Sequence, residues 1–148
     1  MTVLPTRREV IATGALWLLA VRPARALDAP LQQAIRAWTG IATPREGRVT
    51  LTVAELIDNG NLVPLNVRVV SPMTPIDHVQ EIMLLNERNP DRELARFQLS
   101  PANGRAEVST RVRLATSQHL VALARMSDGS VWQHTIEVVV TLAACIES

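Results

Sequence analysis

The stretch Arg105-Ala106-Glu107-Val108-Ser109-Thr110-Arg111-Val112-Arg113-Leu114 alternates without a break between two kinds of side chain. Successive residues of an extended strand point to opposite faces. Ala106, Val108, Thr110, Val112 and Leu114 therefore form a core face, and Arg105, Glu107, Ser109, Arg111 and Arg113 face water. The helical period of 3.6 would scatter the same residues around an axis. A strand with one dry face needs a sheet around it and a second layer to cover it, and the neighbouring sequence supplies both.

Residues 118–126 are apolar at both parities through Leu120, Val121, Ala122, Leu123 and Ala124, the pattern of a central strand covered on both sides. Asp128-Gly129 offers a tight hairpin turn. The returning strand, residues 131–142, is expected to turn Trp132, Ile136, Val138, Val140 and Leu142 inward and Gln133, Thr135 and Glu137 outward. Upstream, strands are expected at residues 49–53, 63–70, 79–86 and 94–99. Turn signals separate them at Asp58-Asn59-Gly60, Asn89-Pro90-Asp91 and Pro101-Ala102-Asn103-Gly104. Seven strands in about 100 residues with no helix between them predict an all-β, immunoglobulin-like β-sandwich. The cysteine pair of antibody domains is absent, which leaves aliphatic packing to hold the core.

One helix precedes the strands. Asp28 is placed to cap it, Pro30 suits its first turn, and Gly40 ends it. Leu31, Ala34, Ile35 and Trp38 recur at helical spacing on one face, with Trp38 as the expected anchor.

Residues 1–26 read as a removable signal: Arg7-Arg8, an apolar run from Val10 to Val21, then Ala24-Arg25-Ala26 as a cleavage site. The run is shorter than the roughly 20 residues needed to span a bilayer. Thr6-Arg7-Arg8-Glu9 also has the look of a twin-arginine signal, which implies export of an already folded chain to the periplasm. Residues 27–148 then form one domain, ending in a tail at residues 143–148. Four of the fifteen basic residues and one of the fourteen acidic residues lie in the signal, so eleven basic and thirteen acidic residues remain, near −2 in charge. That balance argues against a nucleic-acid partner, and the short apolar run against a membrane anchor.

Chemistry concentrates on Cys145, the one cysteine of the chain, directly after the last expected strand. It has no intrachain disulfide partner. His78, His119 and His134 have no ligand-like spacing, so no metal is expected, and His134 and His119 read as core or interface residues. Glu55 and Asp58 read as turn chemistry beside Asn59-Gly60. No phosphate-binding loop or hydrolase elbow occurs. A terminal thiol is poorly placed for a fixed catalytic pair but suits a carrier, because thiols exchange sulfur through mixed disulfides. From Leu142 to Cys145 an extended tail gives about 10 Å of reach.

Several stretches resemble the SoxY family of periplasmic thiosulfate oxidation. They are Glu46-Gly47-Arg48-Val49, Asp58-Asn59-Gly60-Asn61-Leu62-Val63-Pro64, Ser71-Pro72-Met73-Thr74 and Asn86-Glu87-Arg88-Asn89-Pro90. Phe97-Gln98-Leu99-Ser100-Pro101, Ser109-Thr110-Arg111-Val112-Arg113-Leu114 with Gln118, and Ser127-Asp128-Gly129-Ser130 complete the set. Most of these residues belong to turns and strands and speak for fold more than chemistry. The resemblance implies a non-enzymatic carrier subunit without a cofactor of its own, paired with a SoxZ-like β-sandwich. It also implies sulfur intermediates held covalently on Cys145. These would be presented in turn to a c-type cytochrome, a metal-dependent sulfate-releasing hydrolase and a sulfur dehydrogenase.

The tail departs from that family's Gly-Gly-Cys-Gly-Gly. Ala143-Ala144-Cys145-Ile146-Glu147-Ser148 is stiffer, bulkier beside the thiol and more acidic, which favours a divergent paralogue with different clients. The alternative is a structural or binding subunit whose cysteine has lost the carrier role or forms an interprotein disulfide. A stand-alone thiol enzyme lacks a base in position.

Overall fold

A computed structural model describes residues 25–144. The chain opens with α1 (Ala29–Thr39) and continues through β1 (Val49–Thr52), β2 (Leu56–Ile57), β3 (Val63–Val69), β4 (Val79–Asn86) and β5 (Glu93–Gln98). After a single 3-10 turn at Pro101–Asn103 come β6 (Ala106–Val112), β7 (Gln118–Met126) and β8 (Val131–Val140). Two sheets result, ordered β1-β3-β6 and β2-β8-β7-β4-β5. The fold is the expected immunoglobulin-like sandwich. Every expected strand is present, and all pairings are antiparallel except that of β2 with β8.

The sandwich core follows strand parity. Val49, Leu51, Val63, Leu65, Val67 and Val69 of the small sheet meet Ile82, Leu84, Leu120, Ala122, Ala124 and Val138 of the large one. The opposite parity of the large sheet, Met83, Leu85, Val121, Leu123 and Val131, packs on Leu31 and Ile35 of α1. This explains why β7 is apolar at both parities from Leu120 to Ala124: one face looks into the sandwich and the other lies under the helix.

Helix α1 starts where Asp28 accepts the Leu31 N–H and ends where Gly40, at φ 61°, donates to the Arg36 carbonyl. Its anchor is Leu31, fully buried, rather than Trp38. The indole sits half-buried at the helix rim, donates to Glu81 at 2.9 Å and lies under the Arg125 guanidinium at 4.3 Å. A ring with a polar N–H is better served at an edge with a carboxylate than beneath the helix axis.

The structure differs from expectation at two further places. Leu142, expected inward, is 60% exposed, because β8 ends at Val140 and the ladder to β7 begins only at the Gln118–Val138 pair. Beyond it no antiparallel neighbour enforces alternation. The second difference is β2, whose two residues are too few to show a period. It runs beside the end of β8, pairing Leu56 with Val139 and Ile57 with Val140.

His134 does point between the sheets, as parity predicts. Its Nδ1 accepts the Leu51 N–H at 2.9 Å and ties the edge strand β1 to β8. The other end of β8 is closed by Arg45, which bridges to Trp132, while the Arg45 and Arg48 guanidiniums lie 4.6 and 4.9 Å from the Trp132 ring centre.

Candidate functional site at the root of the C-terminal arm

Cys145 and its neighbours Ile146, Glu147 and Ser148 lie outside the described residues, as does nearly all of the expected signal. The described chain reaches Ala144, and the segment leading to it is held by a series of hydrogen bonds. Val140 N–H donates to Ser117 Oγ at 2.8 Å. Thr141 N–H donates to the Ile57 carbonyl at 2.9 Å, and its hydroxyl donates to the Asp58 carbonyl at 3.1 Å. The Leu142 carbonyl accepts from Gly60 N–H at 2.9 Å, and Ala144 N–H donates to the Leu114 carbonyl at 3.2 Å. Leu114 N–H in turn donates to the Gly60 carbonyl at 2.8 Å. The expected reach counted from Leu142 is therefore shortened: the backbone stays attached to the domain through Ala144.

Gly60 sits at the centre of this closure. It is not among the glycines of positive φ, so its turn-like neighbours Asp58-Asn59 do not explain it. A Cβ there would overlap the Leu114 carbonyl oxygen and lie 3.0 Å from the Ala144 nitrogen and 3.2 Å from Val140 Cγ1. The residue is glycine because two other backbones pass through the space a side chain would occupy.

Leu114 is fixed from its other side. Its side chain is fully buried, and Asn89 brackets it by donating from Nδ2 to the Arg113 carbonyl at 2.7 Å and accepting Ala115 N–H on Oδ1 at 2.9 Å. Gln118 completes the support, donating to Asn89 Oδ1 at 3.2 Å and accepting the N–H groups of Glu87 and Arg88 at 3.1 and 2.9 Å. Asn86 accepts Asn89 N–H at 2.7 Å. These buried amides satisfy one another, and each net bond contributes about 0.5–1.5 kcal/mol while an orphaned partner costs about 1–3 kcal/mol.

Glu87 joins this hub to the helix. Its carboxylate accepts Asp28 N–H at 3.1 Å and, on the other oxygen, His119 N–H at 3.2 Å and the His119 ring at 3.0 Å. Burial pushes its pKa up, but the hydrogen bonds from the His119 ring and N–H and from Asp28 outweigh burial and leave it below the ordinary value. A carboxylate acceptor places a proton on His119 Nδ1.

The remaining residues singled out from sequence do not join the arm root as a reactive cluster. His78 Nδ1 lies 3.0 Å from the Thr74 carbonyl, and His134 serves Leu51. Glu55 and Asp58 contribute only main-chain carbonyls, to Val139 and to Thr141. Among the described residues no three His, Cys, Asp or Glu side chains converge as a metal site, and no helix is long and apolar enough to cross a membrane. Sequence reasoning passed over Gly60, Asn89, Leu114 and Gln118 as site residues. The signal was present in the stretches around Asp58-Asn59-Gly60, Asn86 to Pro90 and Leu114 with Gln118, which fold together at this one place.

Fold and site together define a class: a β-sandwich that braces its own C-terminal arm against its end by main-chain hydrogen bonds. The family model described as sulfur oxidation protein SoxY matches residues 35–145, a match that runs through the cysteine. The chain belongs to the SoxY family. Among solved structures it is similar to the sulfur carrier protein SoxY from Chlorobium limicola f thiosulfatophilum. That match has 27% identity and a TM-score of 0.63, and it covers 76% of this chain and 96% of that one. A superoxide reductase (neelaredoxin) from Ignicoccus hospitalis matches at 19% identity and TM-score 0.57, covering 63% of this chain and 79% of that one. A putative superoxide reductase from Thermotoga maritima matches at 19% and 0.54, covering 66% and 87%. These two share the sandwich fold alone. No curated protein matches the sequence.

Proposed function

We propose that this chain is a sulfur carrier that holds its cargo covalently on Cys145 and presents it to partner enzymes. The observation that carries the reading is the tether: the domain braces its last segment through Ala144, immediately before the cysteine at which the family match ends. A solved family member of similar fold is itself described as a sulfur carrier. In this reading residues 1–26 are a signal removed on export to the periplasm, and residues 27–148 are the working domain, paired with a SoxZ-like subunit. The chain is a substrate-bearing subunit of a multi-protein system rather than an enzyme.

The chemistry asks little of the carrier itself. Joining the Cys145 thiolate to the outer sulfur of thiosulfate forms one S–S bond and releases two electrons, which a c-type cytochrome partner takes up. Hydrolysis and further oxidation belong to other partners. The alanines flanking the thiol on the domain side, with Ile146 and Glu147 beyond it, fit clients shaped differently from those served by a glycine arm.

Intact-mass measurement of protein purified from its native periplasm, with and without reductant, tests the reading. The expected result is a sulfur-containing adduct removed by reductant and absent from Cys145→Ser. A cysteine that never carries a reducible sulfur adduct under pathway-inducing conditions overturns it.

A further inference from the structure

The last strand ends at Val140, so four residues separate it from Cys145. Left free, they would let the cysteine sweep about 17 Å from the sheet, at roughly 3.3 Å per residue. They are not free. Three of the four carry main-chain bonds to the Ile57–Gly60 segment or to Leu114, and the last of these, Ala144 N–H to the Leu114 carbonyl, stands one residue before the cysteine. Adjacent Cα atoms are about 3.8 Å apart, so with Ala144 held the next residue has one peptide unit of reach rather than five.

The bond exists only because residue 60 has no side chain. A Cβ would overlap the Leu114 oxygen that receives Ala144 and would crowd the Ala144 nitrogen itself at 3.0 Å. The neighbouring elements cannot relax to make room. Leu114 is bracketed by Asn89 on both sides, and Thr141 is bound to Ile57 and Asp58.

We propose that Gly60 is a positioning residue for the arm: by lacking a side chain it lets the Leu114 and Ala144 backbones close over it, and this closure sets where Cys145 leaves the domain. The inference deepens the carrier reading, because a short tether presents the thiol from a defined point and removes most of its translational freedom before a partner is met. A longer, loose arm loses that advantage.

The test is a nitroxide label on Cys145 of the mature protein, read by electron paramagnetic resonance in wild type, Gly60→Ala and Ala144→Pro. Proline at 144 has no N–H and so deletes the last tether while residue 60 stays glycine. Both variants should shorten the label's rotational correlation time by about two-fold or more, with the melting midpoint of Ala144→Pro within a few degrees of wild type. Unchanged mobility in Ala144→Pro overturns the closure, whatever the fate of Gly60→Ala. Raised mobility in Ala144→Pro but not in a folded Gly60→Ala overturns the assignment to Gly60. A Gly60→Ala chain that does not fold makes the glycine a requirement of the whole fold rather than of the arm, and likewise overturns the assignment. The label reads the tether without any sulfur cargo, so this result and the mass test of the carrier reading fail independently.

Discussion

The Asn89 side-chain amide donates to the Arg113 carbonyl at 2.7 Å, one residue before the carbonyl of Leu114 that receives Ala144. A turn between β4 and β5 thus supports the arm root from behind, through a loop that belongs to neither. Asn89→Ala should remove both brackets on that loop and take the side-chain partner from Ala115 N–H and from the Arg113 carbonyl, while Gln118 Nε2 keeps its bond to the Thr116 carbonyl. The expected cost is about 2–4 kcal/mol in urea unfolding, from two or more buried bonds. A label on Cys145 should also become more mobile, whereas a purely global effect would leave the native-state spectrum unchanged.

Glu87 gives the fold a pH dependence of known sign. Its pKa in the folded chain lies below the ordinary value of 4.5. The stabilisation it contributes is therefore fully present above that value and is lost as pH falls through the lower folded value. Melting curves of wild type should drop across that acid window. Glu87→Gln should start from a lower midpoint at neutral pH and show a shallower drop, and an equally steep one would remove Glu87 from the account.

Leu31 and Trp38 separate two ways of holding a helix. Leu31→Ala empties a fully buried site beneath α1 and should cost about 2–5 kcal/mol. Trp38→Phe keeps a ring under Arg125 and loses only the bond to Glu81, for which about 0.5–1.5 kcal/mol is expected. Chemical denaturation of the two variants should reproduce that order.

His134 joins the sheets through a single acceptor nitrogen. Phenylalanine at 134 preserves a ring but leaves Leu51 N–H without its partner, at a cost of about 1 kcal/mol for this half-buried site. Faster amide hydrogen exchange at Leu51, with little change in β7, is the expected signature.

The strands were legible because each has enough residues for alternation to accumulate. Residues 105–114 declare their parity unaided, and β6 keeps it residue by residue. The double burial of β7 was equally readable from Leu120 to Ala124, and Asp28 and Gly40 marked the helix ends to the residue. Where the local pattern was short or had lost its neighbour, reading failed. Two residues of β2 carry no period, and Leu142 obeys no parity because no strand pairs antiparallel to it. Trp38 lies on the apolar stripe as expected, but its indole N–H found Glu81 at the rim and Leu31 became the anchor.

The site divided along the same line. By itself the sequence determined a sandwich core, a capped helix and a lone cysteine just past the last strand, since these follow from periodicity, capping chemistry and residue type. Only the tertiary structure decided that Gly60, Asn89, Leu114 and Gln118 converge on the segment before that cysteine. Their bonds link residues far apart in the chain. A glycine required for the close passage of two distant backbones is written with the same letter as a glycine required by a turn.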